Sequence, residues 1–318
     1  MNRRTTRTIV SPLGDPDAVA KARADHPGLA PIIDDLEQVI TPPFGDADHR
    51  AITTQRTVKR TRLVEMTGGA IVAVLAIMQL VKNTDDWIRG LGVAAASIAA
   101  ITAVAAGRGR GQSLDDWLDS RRVAEELRSL YFLALTSNDL RNNPNRRRLV
   151  RAQVQQILKP ERALPDFEPD VDADPDLDHL DAETWQLYRE ARLDDQISWL
   201  RGKSETVKAR TDMLGGLQTG LIVTASVCAA LTVLLGEDAG WLAVPVAASA
   251  GLVSFLAAVD SVVASERLAQ HYERTVARLE LIDRSLDETG SRGDVEEVET
   301  VLMAEHRAWR RIAEGNQQ

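Results

Sequence analysis

Cysteine is almost missing from this chain of 318 residues. Cys228 stands alone, which excludes an intrachain disulfide and a cysteine-built metal centre, and its place inside an apolar run reads as packing. Histidine is scarce as well. His26, His49, His179, His271 and His306 make no HExxH pair and no cluster at metal-ligand spacing. There is no GxxxxGK(S/T) phosphate loop and no GxGxxG. Gly107, Gly109 and Gly111 follow no strand, so that stretch reads as a helix exit rather than a phosphate cradle. No enzymatic activity and no cofactor are expected. Arg3, Arg4 and Arg7 precede no apolar core of a signal peptide, so the first hydrophobic hairpin is expected to serve as its own insertion signal.

What the chain does have is apolar sequence gathered into blocks. Four uncharged windows run Met66–Val81, Gly90–Gly107, Met213–Gly236 and Ala239–Val259. As helices they reach roughly 24, 27, 36 and 31 Å, against a hydrocarbon core of about 30 Å. A soluble core spreads apolar residues at helical or strand period; blocks of this kind point to lipid. The first is short and needs Lys82 to reach back to the interface. The alternative is a pair of buried hairpins in a soluble bundle. The expected fold class is all-α and integral to a membrane, with four transmembrane helices in two hairpins and long cytoplasmic helical extensions.

Short connections, Lys82 to Arg89 and Glu237-Asp238, force antiparallel neighbours. Arg56, Lys59, Arg60 and Arg62 precede the first hairpin, and Arg108 and Arg110 follow it. Arg201, Lys203, Lys208 and Arg210 precede the second, and Arg267 and Arg274 follow it. The positive-inside rule places both termini in the cytoplasm of a multi-pass protein of the cytoplasmic membrane. Glu65-Met66-Thr67-Gly68-Gly69 and Asp212-Met213-Leu214-Gly215-Gly216 open matching windows, so the chain reads as a parallel duplication. The expected division is an N-terminal segment 1–50, partly disordered, a first two-helix domain 51–140, a linker 141–184, a second domain 185–289 and a helical tail 290–318.

Outside the windows, Leu114, Trp117, Ala124, Leu127, Tyr131 and Leu135 keep to one side of a helix. Arg121 with Glu125, and Arg122 with Glu126, flank it as i,i+4 pairs. A second helix over 182–212 offers Trp185, Tyr188 and Trp199, and a third runs from Ser261 to about Leu286. The linker opens with Arg141, Arg146, Arg147, Arg148 and Arg151. These read as a solvated face near an anionic leaflet, with phosphate, lipid headgroups or nucleic acid as other takers. Asp166 to Glu183 then carries nine acids and no base, so the net charge of -9 is essentially this stretch. Asp172, Asp174, Asp176, Asp178 and Glu183 fit the spacing of a calcium loop, but Leu177 stands where the turn needs glycine and Pro175 interrupts it. A flexible acidic linker is the reading.

Small residues recur at fourfold spacing in the windows: Ala95, Ala99 and Ala103; Gly216 and Gly220; Ala225 and Ala229; Ala247 and Gly251. With Gly68, Gly69 and Gly215 they let helices approach closely, which suits a homo-oligomer in the bilayer. Thr219, Thr224 and Ser226 read as interhelical hydrogen-bonding groups. Trp117, Arg121, Glu125, Trp199, Tyr272 and Asp260, which closes the fourth window, are the candidate cytoplasmic coupling residues.

Paired hydrophobic helices flanked by cytoplasmic helices, twice over, resemble the SLATT family (SMODS- and SLOG-associating two-transmembrane effector domains). The first repeat carries the resemblance in Trp117 through Arg128. The second carries it in Gln196, Trp199, Lys203, Lys208, Tyr272, Thr275, Leu279 and Glu280, and departs at Ala269, where Trp117 has its counterpart. The resemblance implies a bacterial conflict or anti-phage effector that forms a pore or perturbs the membrane on a nucleotide-linked signal. Its partners would be a second-messenger synthase or nucleotide sensor on a separate chain, and nucleic acid is not expected as a partner. The alternative is a non-catalytic membrane scaffold or stress-sensing protein without a pore.

Overall fold

The computed structural model describes residues 10–81, 115–159, 180–235, parts of 242–256, 265–285 and 290–315. Among these, every named element is a helix; an isolated bridge between Ser11 and Gly14 closes a turn in which Gly14 takes a positive φ of 121°. The helices are α1 Pro16–Asp25, α2 Ala30–Val39, α3 Thr41–Val81, α4 over 115–136, α5 Asn138–Arg141, α6 Arg146–Leu158 and α7 Ala182–Tyr188. A π-turn, Arg189–Asp194, leads from α7 into α8 Asp195–Leu235. They are followed by α9 Ser265–Ser285 and α10 Arg292–Gly315.

Local chemistry sets several of these starts. Asp15 caps α1 by accepting the Ala18 amide at 2.8 Å, with Pro16 in the first turn. Asp181 caps α7 through the Thr184 amide at 2.8 Å. Ser291 and Asp294 form a reciprocal capping box before α10: the Ser291 amide donates to Asp294 at 2.7 Å and the Asp294 amide donates to Ser291 Oγ at 3.2 Å.

The chain divides into two compact units that cut across its sequence order. The first is Met1–Thr53, Asp116–Gly202 and His271–Arg311; the second is Thr54–Asp115, Lys203–Gln270 and Ile312–Gln318. Helices from both halves of the sequence share the first unit. That unit has a packed interior. Leu118, Leu127, Tyr131, Phe132 and Leu135 of α4 are fully buried, with Tyr188, Leu193 and Leu200 from the second half and Leu279, Val295 and Val298 from α9 and α10. Each large apolar side chain so buried stabilises the fold by about 1.5–3 kcal/mol.

The N-terminal segment is not loose over its described part. Leu29, Ile32, Ile33, Leu36, Ile40 and Phe44 are all buried, at helical spacing. Glu37 fixes this segment to α4: it accepts hydroxyl hydrogen bonds from Ser11 at 2.5 Å, Thr41 at 2.9 Å and Tyr131 at 3.0 Å.

The second unit presents the opposite surface. Among the described residues one helix, Ala182–Leu235 with its π-turn included, is long and apolar enough to cross a membrane, and none of its most apolar window is buried. Met213, Leu217, Ile222, Val223, Val227, Val233 and Leu234 all stand open. Its hydroxyls turn inward to their own helix. Thr219 donates to the Gly215 carbonyl, Thr224 to Gly220, Ser226 to Ile222 and Thr232 to Cys228, each at 2.9 Å. Thr219, Thr224 and Ser226 were expected to bond between helices; here they, like Thr232, bond within their own helix, which suits a surface facing hydrocarbon. The first window forms the end of α3, the second lies outside the described residues, and the fourth is described only in pieces.

Candidate functional site

The most charged part of the first unit's interior is gathered around the π-turn. Arg192 sits in that turn with 1% of its surface exposed. A buried guanidinium persists only when paired. Glu299 of α10, itself 3% exposed, accepts from Arg192 Nε at 2.8 Å and Nη2 at 2.9 Å, a two-pronged contact. The Tyr188 hydroxyl donates to the same carboxylate at 3.3 Å. The guanidinium carbon lies 5.4 Å from the centre of the Phe132 ring in α4, a cation–π contact. Nη1 makes no hydrogen bond among the described residues and faces Glu125 Oε2 at 4.0 Å.

Glu125 is the hub on the α4 side. It pairs with Arg121 at 2.7 Å and with Arg128 at 3.3 Å, and Arg128 lies 5.2 Å over the ring of Phe44 from α3. Phe132 meets Tyr188 edge-on at 5.8 Å, and Trp185 stacks on Tyr188 at 5.9 Å. Burial works against the Arg192 charge, but the Glu299 carboxylate outweighs it and holds the guanidinium firmly protonated. Burial pushes the Tyr188 hydroxyl well up, with the neighbouring Glu299 adding to it. Glu305, farther along α10, is raised to about 7, by burial first and by the Glu125 charge second, with Arg121 opposing. Glu305 thus shares a low-dielectric region with the Glu125 carboxylate and titrates near neutrality.

Of the expected coupling residues, Arg121 and Glu125 form the predicted i,i+4 pair and belong to this network. Arg122 and Glu126 pair likewise at 3.0 Å. Trp117 is buried at the start of α4. Trp199 remains 40% exposed but meets Tyr272 of α9 edge-on at 6.3 Å. Asp260 lies outside the described residues, as do Ala95, Ala99, Ala103 and Ala247. Gly68 is buried within α3 and Gly69 continues that helix, while Gly251 lies in a partly covered helical piece. Around Gly215, Gly216 and Gly220 a methyl group would meet nothing within 4 Å, so this stripe is open on the surface of α8.

Sequence reasoning passed over Arg192, Glu299 and Glu305, and gave Arg128 no part beyond the family resemblance. The only local signal was an arginine one helical turn after Tyr188, at a position where an apolar stripe continues. The basic stretch also reads differently in place. Arg146 and Arg147 both clamp Asp35 of α2, and Arg141 pairs with Asp181 and Thr184. Arg148 and Arg151 keep the exposed character expected of a solvated face. Asp172, Asp174, Asp176 and Asp178 of the calcium-like spacing lie outside the described residues; among the described residues no group of acids, histidines and cysteine is placed to hold a metal ion.

Comparison with known families divides the chain in two. Residues 46–137 match a family described as Protein of unknown function (DUF4231). The expected two SLATT segments are therefore met by one SLATT match and one match to a different family. No match is found among curated proteins or solved structures. The uncovered apolar length of α8 and the two-transmembrane description of the matched family point together to a protein that enters a membrane. Over residues 188–309 the chain matches SLATT_1, the SMODS and SLOG-associating 2TM effector domain 1, and that segment contains both Arg192 and Glu299.

Proposed function

We propose that this chain is a non-catalytic membrane effector of a bacterial conflict system, built of two tandem two-transmembrane hairpins. The cytoplasmic membrane holds the hairpins, and both termini and the helical first unit lie in the cytoplasm. The observation that carries the reading is the continuity of α8. One helix begins among the buried charges of the first unit and ends in an apolar stretch with no protein cover. Its open stripe of Gly215, Gly216 and Gly220 supports homo-oligomerisation by close backbone approach. The SLATT match over 188–309 supports the effector role and a trigger from a second-messenger synthase or nucleotide-sensor partner chain.

In this reading the assembly passes from a closed to a leaky state on the signal. Inducing the full chain in a bacterial host, with membrane potential and growth followed together, tests it. Depolarisation with growth arrest, and release of entrapped ions from liposomes carrying the purified chain, are the expected results. A membrane-bound chain that leaves liposomes tight with and without candidate cyclic nucleotides refutes the pore and leaves the scaffold reading.

A further inference from the structure

Residues 138–187 belong to neither family match, so α6 lies between the two matched segments. Its charge is one-sided. Between Arg146 and Lys159 the chain carries Arg146, Arg147, Arg148, Arg151 and Lys159, and no acid. Three of the arginines open the helix, at the positive end of its dipole, where cations are disfavoured. Asp35 of α2 takes up Arg146 and Arg147. Arg148, Arg151 and Lys159 have no ion partner among the described residues. That sets them apart from Arg121, Arg122, Arg128, Arg141, Arg189 and Arg192, each paired within the same unit.

These cations share a face. α6 packs on α2, and its Val150 and Val154 are buried. At about 100° per residue, Arg148, Ala152, Gln155 and Lys159 fall within about 60° of one another on the side away from those valines, with Arg151 about 40° from Gln155. All five are exposed. Leu149 and Leu158 border the face at 43% and 45% exposure. Uncompensated cations edged by open leucines match a lipid headgroup layer, which offers phosphate to the first and cover from water to the second. Single-stranded nucleic acid is the poorer match, because residues 146–159 include no aromatic side chain on which a base could stack.

We propose that the outward face of α6, Arg148, Arg151, Gln155 and Lys159 between Leu149 and Leu158, is a docking surface for an anionic bilayer leaflet. Lipid phosphates take up the three cations, and the leucines seat among the headgroups. Asp35 has a part in this as well: by holding Arg146 and Arg147 against α2, it keeps the helix seated with its other cations pointing out. The attraction is electrostatic first, so it weakens as salt rises. The proposal goes beyond the effector reading. It needs a bilayer but no pore, oligomer or signal, so a membrane that stays tight leaves it standing.

The test uses the full chain with Cys228→Ser and Gln155→Cys, so that one fluorophore sits on the face. The chain is placed in nanodiscs of phosphatidylcholine, or of phosphatidylcholine mixed with phosphatidylglycerol, each with the same share of a headgroup nitroxide quencher. The expected result is quenching roughly threefold or more stronger in the anionic discs, returning to the neutral level at high salt. Arg148→Gln, Arg151→Gln and Lys159→Gln together should abolish the difference and leave the thermal melt unchanged. Ala152→Glu, an acid set in the middle of the face, should weaken it alone, which keeps the test sound if the triple variant folds poorly. Equal quenching in the two lipids, or a difference that survives both variants, overturns the proposal. A label that answers single-stranded RNA but not anionic lipid overturns it in favour of nucleic acid. A lipid response that appears only when the acids of 166–178 are replaced by amides gives the face to the chain's own acidic stretch, and overturns it too.

Discussion

Replacing Arg192 with methionine tests the central pair most sharply. Glu299 would then keep its carboxylate at 3% exposure with one remaining partner among the described residues, the Tyr188 hydroxyl at 3.3 Å. Glu125 would change less, because Arg121 and Arg128 already hold it at 2.7 and 3.3 Å. An uncompensated buried charge costs about 3–5 kcal/mol, and Glu299→Leu strands Arg192 at similar cost. The double variant Arg192→Met with Glu299→Leu removes both charges and retains apolar volume, so it returns close to the parent. Amide hydrogen exchange in α10 of the full chain reads this directly. Each single change speeds exchange by roughly a hundredfold or more, at about 1.4 kcal/mol per factor of ten, and the double change recovers most of it. Less than a tenfold effect in either single variant, or a double variant as fast as the faster single, refutes the account of the pair as mutually dependent.

Glu305 gives a pH dependence of defined sign. Its folded value of about 7 lies above the ordinary 4.5, so the first unit is most stable with this carboxyl protonated and loses that stability as pH rises from about 4.5 through 7. The full shift is worth about 3 kcal/mol at the upper end. Glu305→Gln should flatten the dependence of α4 and α10 protection between pH 5.5 and 7.5, and an unchanged slope removes the assignment. Gly290→Ala would drive a methyl into the Trp185 indole, lowering stability by about 1–3 kcal/mol in a thermal melt. Gly216→Leu and Gly220→Leu meet open space and so leave folding intact, but should abolish crosslinked oligomers in membranes; unchanged oligomers in both count against the packing stripe.

The sequence was legible where physics is local. The one-sided pattern of α4, its Arg121–Glu125 pair and the apolar run of α8 all depend on residues within a turn or two of each other. Arg192 was illegible because its partner is 107 residues away, and arginine on its own carries a strong prior for the surface. The π-turn has no signature of composition. Its only trace is a change of phase, from the stripe of Trp185, Tyr188 and Arg192 to that of Leu193, Ile197 and Leu200. In the N-terminal segment the stripe from Leu29 to Phe44 lies within one short stretch and so was present to be read. The basic stretch misled for a related reason: Asp35, which takes up two of its arginines, comes from a helix more than a hundred residues earlier.

Because the compact units cut across chain order, neither half of the protein owns a complete interior. A break between Lys159 and Leu180 would give one fragment with α4, Phe132 and Glu125, and another with Tyr188, Arg192 and Glu299. Each would display the face that the other normally covers. Such fragments should behave as complementary parts: aggregation-prone when made singly, and able to rebuild the Phe132–Tyr188 contact when made together. If the two halves arose by duplication, the copies have since diverged into obligate partners, so a change in one is held to account by the other.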